Sequence, residues 1–134
     1  GPGTGDGAFA LARRFPEAEV VGVDLAEAMV AEARRKTPTE LEGRVHFEVA
    51  DAARLPFGAS EFDLVAMNNM IPFFDELTRV LVPGGHAVFA FSGGAQTPIY
   101  VDPERLRREL ERRGFTEFAD FSAGTGTAFA AKLH

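Results

Sequence analysis

Apolar positions fall in two rhythms along the chain, and their alternation predicts most of its elements. Phe9, Ala12 and Phe15 recur at helical spacing and predict a helix over residues 6–15. Val20, Val21 and Val23 around Gly22 make a short run that is apolar on both faces, the mark of a buried strand, here 19–24. Met29, Val30 and Ala33 give the inward face of a helix over 26–36, with Arg34, Arg35 and Lys36 where cations complement the helix dipole. Thr37-Pro38 stops it. Strands are expected over 44–49 and 62–67, then a short helix over 72–81 closed by Pro83-Gly84-Gly85, then a strand over 86–91. Asp102 as N-cap, Pro103 in the first turn and Gly114 beyond the end bound another helix. Two final apolar runs, 115–121 and 127–133, are joined by Ala123-Gly124-Thr125-Gly126 and predict an antiparallel hairpin.

Strands alternating with helices until a closing hairpin predict an α/β fold. The expected architecture is a doubly wound, mostly parallel sheet in three α/β/α layers, with an antiparallel strand at its C-terminal end. The 134 residues suit one domain, and neither repeats nor linkers divide them.

Composition narrows the function classes. A net charge of −6 argues against nucleic acid or an anionic membrane as partner, since both call for a basic face. The chain has no cysteine, which excludes disulfides and thiolate chemistry and fits a cytoplasmic location. No apolar run approaches the ~20 residues that span a bilayer. The first residue is not Met, so an N-terminal truncation is expected.

Three features carry the candidate chemistry. Gly1-Pro2-Gly3-Thr4-Gly5 opens the chain; glycines let backbone approach a ligand closely, and the following helix N-terminus offers free N–H groups. Gly3 to Ala8 also fits the dinucleotide pattern G-x-G-x-x-A, and the loop alone fits a plain surface turn. Asp24 ends a buried strand, where a carboxylate can accept from two ribose hydroxyls or cap the next helix. Asp51 ends the run Val45 to Ala50 and precedes Leu55-Pro56-Phe57; it can accept from an exocyclic amine while the Ala52 N–H meets a ring nitrogen, or serve as a turn residue.

Together these residues resemble the class I S-adenosylmethionine-dependent methyltransferases of the small-molecule type. Gly1-Pro2-Gly3-Thr4-Gly5 is similar to that family's G-x-G-x-G loop, and Val23-Asp24-Leu25 to its ribose-binding acid. Val49-Ala50-Asp51-Ala52 with Leu55-Pro56-Phe57 resembles its adenine turn, Phe62-Asp63-Leu64-Val65 its fourth strand, and Arg79 to Gly85 the entry to its fifth. The resemblance implies S-adenosylmethionine as cofactor, S-adenosylhomocysteine as product, and a small-molecule methyl acceptor. It implies Gly1, Gly3 and Gly5 around the methionyl part, Asp24 on ribose, Leu25 and Met29 against the adenine face, Asp51 and Ala52 on adenine, and Asn68 backbone near the methionyl amine.

Methyl transfer from a sulfonium is an in-line displacement in which positioning supplies up to ~7–11 kcal/mol, so no fixed catalytic residue is assigned. Asn68, Asn69, Phe73, Phe74, Ser92 and Tyr100 lie near strand ends, with Phe73 and Phe74 read as core. His46 and His86 read as structural, no metal is expected, and Asp63 stands at the wrong end of its strand for a ligand. Glu104–Arg108 and Glu109–Arg113 are read as pairs on a solvated helix face. The family's first strand, which ends in an acid ahead of the glycine loop, and its N-terminal covering helices do not appear. That predicts unpaired edges between the strands at Val20 and Phe62, and low stability, unless the sheet closes on itself or an upstream segment or second copy enters. Two alternatives to a methyltransferase stay open: a nicotinamide-dinucleotide oxidoreductase, and a non-catalytic cofactor-binding piece that needs a partner strand.

Overall fold

The computed structural model describes residues 7–50, 54–68, 73–91, 102–123 and 126–134. Its elements in chain order are α1 (Gly7–Arg14), β1 (Val20–Asp24), α2 (Glu27–Lys36), a 3-10 turn (Thr39–Leu41), β2 (Val45–Val49), β3 (Phe62–Asn68), α3 (Phe74–Val80), β4 (Leu81–Phe91), α4 (Pro103–Glu111), β5 (Phe115–Ala123) and β6 (Gly126–Leu133). The strands form one sheet in the order β2-β1-β3-β4-β6-β5. The first four run parallel, and β6 lies antiparallel between β4 and β5.

Side-chain alternation along the central strands builds two cores. Val21, Val23, Val65, Met67, Ala87 and Phe89 point to the face covered by α3 and α4, where Leu77, Val80, Leu106 and Leu110 meet them. Val20, Leu64, Ala66 and Val88 point to the opposite face, where Phe9, Ala12, Val30 and Ala33 of α1 and α2 pack. This is the expected three-layer arrangement, with period 2 in the strands and a helical stripe on each covering helix.

The predicted gap in the sheet closes within the chain. β1 pairs directly with β3, Val20 opposite Leu64 and Val23 opposite Met67, so the pairing groups of these two strands meet each other. Asp63 reinforces the junction: its Oδ2 accepts from the Glu19 N–H at 2.8 Å, and the Glu19 carbonyl accepts from Asp63 and Leu64.

The segment Pro83-Gly84-Gly85 departs from expectation. It does not close α3; the helix ends at Val80 and β4 begins at Leu81. The register moves from Phe62↔Leu81 to Leu64↔His86, so the segment is a bulge within the strand entry. Pro83 has no N–H to leave unpaired, and Gly84 takes a left-handed φ of 86°. A Cβ on Gly85 would stand 2.9 Å from the Val82 carbonyl and 3.0 Å from that of Asp63. The short helix also starts later than predicted, at Phe74.

Other local signals hold. Asp102 accepts from the Glu104 N–H at 2.8 Å with Pro103 in the first turn of α4. Thr37 leaves helical geometry ahead of Pro38, and its hydroxyl donates to the Ala33 carbonyl. Glu109 of α4 pairs at 3.0 Å with Arg113, two residues past the helix, beside an Arg107–Glu111 pair. Glu104 and Arg108 form no ion pair among the described residues. No helix among them is long and apolar enough to cross a membrane.

Candidate functional site

The C-terminal ends of β2, β1 and β3 lie side by side, with Asp24 opposite Val49, and Val23 opposite Met67 one residue before Asp24 and Asn68. The glycine loop feeds α1, whose direction follows from its contacts. Arg44, just ahead of β2, donates to the carbonyls of Ala12, Phe15 and Ala18, and Phe15 stacks on His86 near the start of β4. The C-terminal end of α1 therefore sits at the N-terminal edge of the sheet. Its N-terminus is directed to the opposite edge, where Asp24 lies.

Asp24 is the one charged residue among the buried side chains described, at 7% exposure. Its Oδ1 accepts from the Ala26 N–H at 2.9 Å, an Asx-type turn into α2, where Ala26 stands at the N-cap with no side-chain cap. Its Oδ2 is buried and has no partner among the described residues. Burial raises the carboxyl above its usual value of 3.8, while the N–H groups of Ala26 and Leu25 counter that rise. A buried acceptor left free at a strand end fits a ligand that brings hydroxyl donors, as a ribose does.

Leu25, next in the chain, is 58% exposed, and Val49 is 41% exposed. Two large apolar side chains thus stand open beside the buried acid, as an aromatic base needs. Met29 is half-buried on α2. Asn68 ends β3. Gly1, Gly3, Gly5, Asp51 and Ala52 lie outside the described residues, as do Asn69, Ser92 and Tyr100.

Phe74 packs against the core as expected, with the Arg113 guanidinium 5.2 Å from its ring centre. Phe73 does not: it is 47% exposed, because it precedes α3 as its N-cap residue and stays outside the inward stripe. His46 pairs with Glu19 at 3.3 Å, and half-buried His86 titrates below its usual range through desolvation and the nearby Lys132. Among the described residues no group of three His, Asp or Glu is gathered as a metal ion requires.

Sequence reasoning missed one cluster. Glu76 and Arg79 of α3 form a 2.8 Å ion pair that also binds the backbone of Leu55 and Phe57. The Arg79 guanidinium and the Leu55 N–H hold the Glu76 carboxyl at about 2. The i,i+3 spacing was readable as an ion pair, but its grip on a distant segment was not.

The sheet order, the buried acid ending β1 and the reversed β6 define the Rossmann-like S-adenosylmethionine-dependent methyltransferases. Residues 1–85 match the model of the family described as methyltransferase domain, and the chain belongs to that family. The match sets aside the nicotinamide oxidoreductase. The chain is 47% identical over 94 residues to the demethylmenaquinone methyltransferase of Thermus thermophilus, an alignment covering 64% of this chain and 42% of that protein. It is 41% identical over 91 residues to the ubiquinone/menaquinone biosynthesis C-methyltransferase UbiE of Dinoroseobacter shibae, covering 62% of this chain and 36% of that one. The chain spans about two-fifths of the length of the curated relatives it matches. In fold it is similar to the crystal structure of a SAM-dependent methyltransferase from Aquifex aeolicus, with a TM-score of 0.66 at 18% identity over 100% of this chain and 79% of that one.

Proposed function

We propose that this chain forms the cofactor-binding core of an enzyme that moves a methyl group from S-adenosylmethionine to a ring carbon of a quinone-type small molecule. The carrying observation is Asp24 at the C-terminal end of β1, whose buried Oδ2 has no partner among the described residues and which stands beside open Leu25 and Val49. The acceptor class is taken from the two relatives named above, one of which is described as a C-methyltransferase.

The cofactor supplies a methyl group already activated by a positive sulfur. The chain's part is to bind and orient it. Asp24 accepts from the ribose hydroxyls, Leu25 and Met29 cover one adenine face, and Asp51 with the Ala52 N–H reads the adenine edge. Gly1, Gly3 and Gly5 admit the methionyl part, and the Asn68 carbonyl meets its amine. Phe73, exposed between β3 and α3, offers an apolar face to the acceptor. Bound there, the cofactor would supply its activated methyl group to the acceptor's ring carbon, whose displaced proton would pass to solvent. A cytoplasmic location is part of the same proposal, on the cysteine-free composition.

Isothermal calorimetry with S-adenosylhomocysteine tests the reading first. Saturable binding that is lost in Asp24→Ala supports it; no heat at millimolar ligand overturns it. Radiolabelled methyl transfer to demethylmenaquinone, compared with a phenolic or amine acceptor, then tests the acceptor class.

A further inference from the structure

β2 stands at one end of the sheet and pairs with β1 alone among the described residues. The ladder uses every second residue of the segment: the Arg44 carbonyl accepts from the Val20 N–H, and the Ala50 N–H donates to the Asp24 carbonyl. By alternation, the N–H and C=O groups of Val45, Phe47 and Val49 point away from β1, along the open edge. The pairing runs without a register shift from Val45 to Val49, and a Val-His-Phe-Glu-Val sequence favours extended backbone. A regular, exposed edge of this kind is a template for a strand from another molecule. The opposite end of the sheet differs. There β5 shifts register between Thr116 and Ala119, with Glu117 at a left-handed φ of 53°, and such a bulge turns an edge away from pairing.

One side chain reaches round to the open edge of β2. Arg34, in the last turn of α2, donates from Nε to the Phe47 carbonyl at 2.9 Å. That carbonyl is the middle one of the outward set. The Arg34 Nη2 lies 3.3 Å from a Glu48 carboxylate oxygen, which holds the guanidinium against the strand. With 55% and 43% of the two side chains exposed, the ion pair itself adds little to stability. Its effect falls on what can approach. An incoming strand would need the Phe47 carbonyl as an acceptor, and would have to bring its own backbone to where a charged group already lies. We propose that Arg34 is an edge guard, a side chain that keeps β2 from pairing with a strand of a second copy of this chain. This role does not depend on the function proposed above.

Light scattering after size exclusion reads the association state of the full chain and its variants, with urea unfolding alongside to show that each variant folds. Arg34→Met keeps a long, helix-favouring side chain but donates nothing. Its average mass is expected to rise by about twofold or more over the unsubstituted chain at equal concentration, and to climb further as concentration increases. Adding Val49→Lys places a new charge on the same edge, at a residue already 41% exposed, and should bring the mass back to that of the unsubstituted chain. Arg34→Ala, alone and with Val49→Lys, carries the test if Arg34→Met does not fold. An unchanged mass in the folded Arg34 variant overturns the guard role, and so does a rise that Val49→Lys leaves in place.

Discussion

Asp24→Ala separates stability from binding. The wild-type side chain has two opposing effects on folding. Its Oδ1 bond to the Ala26 N–H helps start α2, and removing such a cap costs about 1 kcal/mol. Its Oδ2, buried without a partner among the described residues, costs the fold about 1–3 kcal/mol. The side chain is small, so the cavity left behind is minor. Asp24→Ala is therefore expected to be as stable as wild type at pH 7, or more stable by up to about 2 kcal/mol, although most buried substitutions destabilise. The pH dependence follows. The folded carboxyl titrates above the unfolded 3.8, so the folded state holds the proton more tightly. Wild-type stability falls as pH rises through the window that begins near 3.8, and Asp24→Ala lacks that fall. Urea unfolding at several pH values from 3.5 to 7 reads both effects. In the same variant, S-adenosylhomocysteine binding should weaken by about a hundredfold or more, from the loss of two hydrogen bonds to a charged acceptor. A loss of more than about 2 kcal/mol at pH 7 with unchanged ligand affinity would refute the reasoning.

Three further outcomes follow from the packing. A Cβ on Gly22 would stand 2.7 Å from Cδ1 of Phe47, whose ring is fixed edge-on against Phe9; Gly22→Ala should cost about 1–3 kcal/mol in chemical denaturation, and Phe47→Leu in the same chain should recover part of it. Arg44→Met removes three hydrogen bonds, to the Ala12 carbonyl in the last turn of α1 and to the Phe15 and Ala18 carbonyls just beyond it, and should cost about 1.5–3 kcal/mol, with Arg44→Lys recovering less than half. The Glu76 carboxyl is lowered from 4.5 to about 2, so its stabilising contribution is complete above 4.5 and is lost as pH falls toward 2; in Glu76→Gln the acid slope of the denaturation midpoint over that window should flatten.

Much of the architecture was legible because local and global signals agree. The valine run ending in Asp24, the Asp102-Pro103 start of α4 and the closing hairpin each obey rules of period, capping or turn chemistry that need no partner. Two features were not legible. Pro83-Gly84-Gly85 reads equally as a helix stop and as a bulge, and the choice is made by how closely Gly85 approaches the carbonyl of Asp63, a contact from another strand. The direct pairing of β1 with β3 depends on which edges meet in space, which pattern alone does not record. Asp24 stood out in the sequence by its place at a strand end, and the structure buries it there. The exposure of Phe73 was missed because an aromatic beside a helix start looks like core in one dimension, and the Glu76–Arg79 grip because its target lies 21 residues back.

The Glu19–Asp63 tie joins positions 44 residues apart, at the seam where β1 meets β3. On one side β1 pairs with β2, and on the other β6 returns beside both β4 and β5, while Leu64, Ala66 and Val88 carry the core under α1 and α2 across the seam. Closing the seam requires the longest chain loop in the parallel half of the sheet, so its hydrogen bonds should form late in refolding; once formed they lie between fully buried Val20, Val21, Val23 and Val65 and should exchange among the slowest of the described residues. Because both cores cross the seam, amide exchange should show the two sides protected as one cooperative unit. A ligand taken up at Asp24 and Asn68 as proposed, one on each side of the seam, would add its protection at the C-terminal end of that seam.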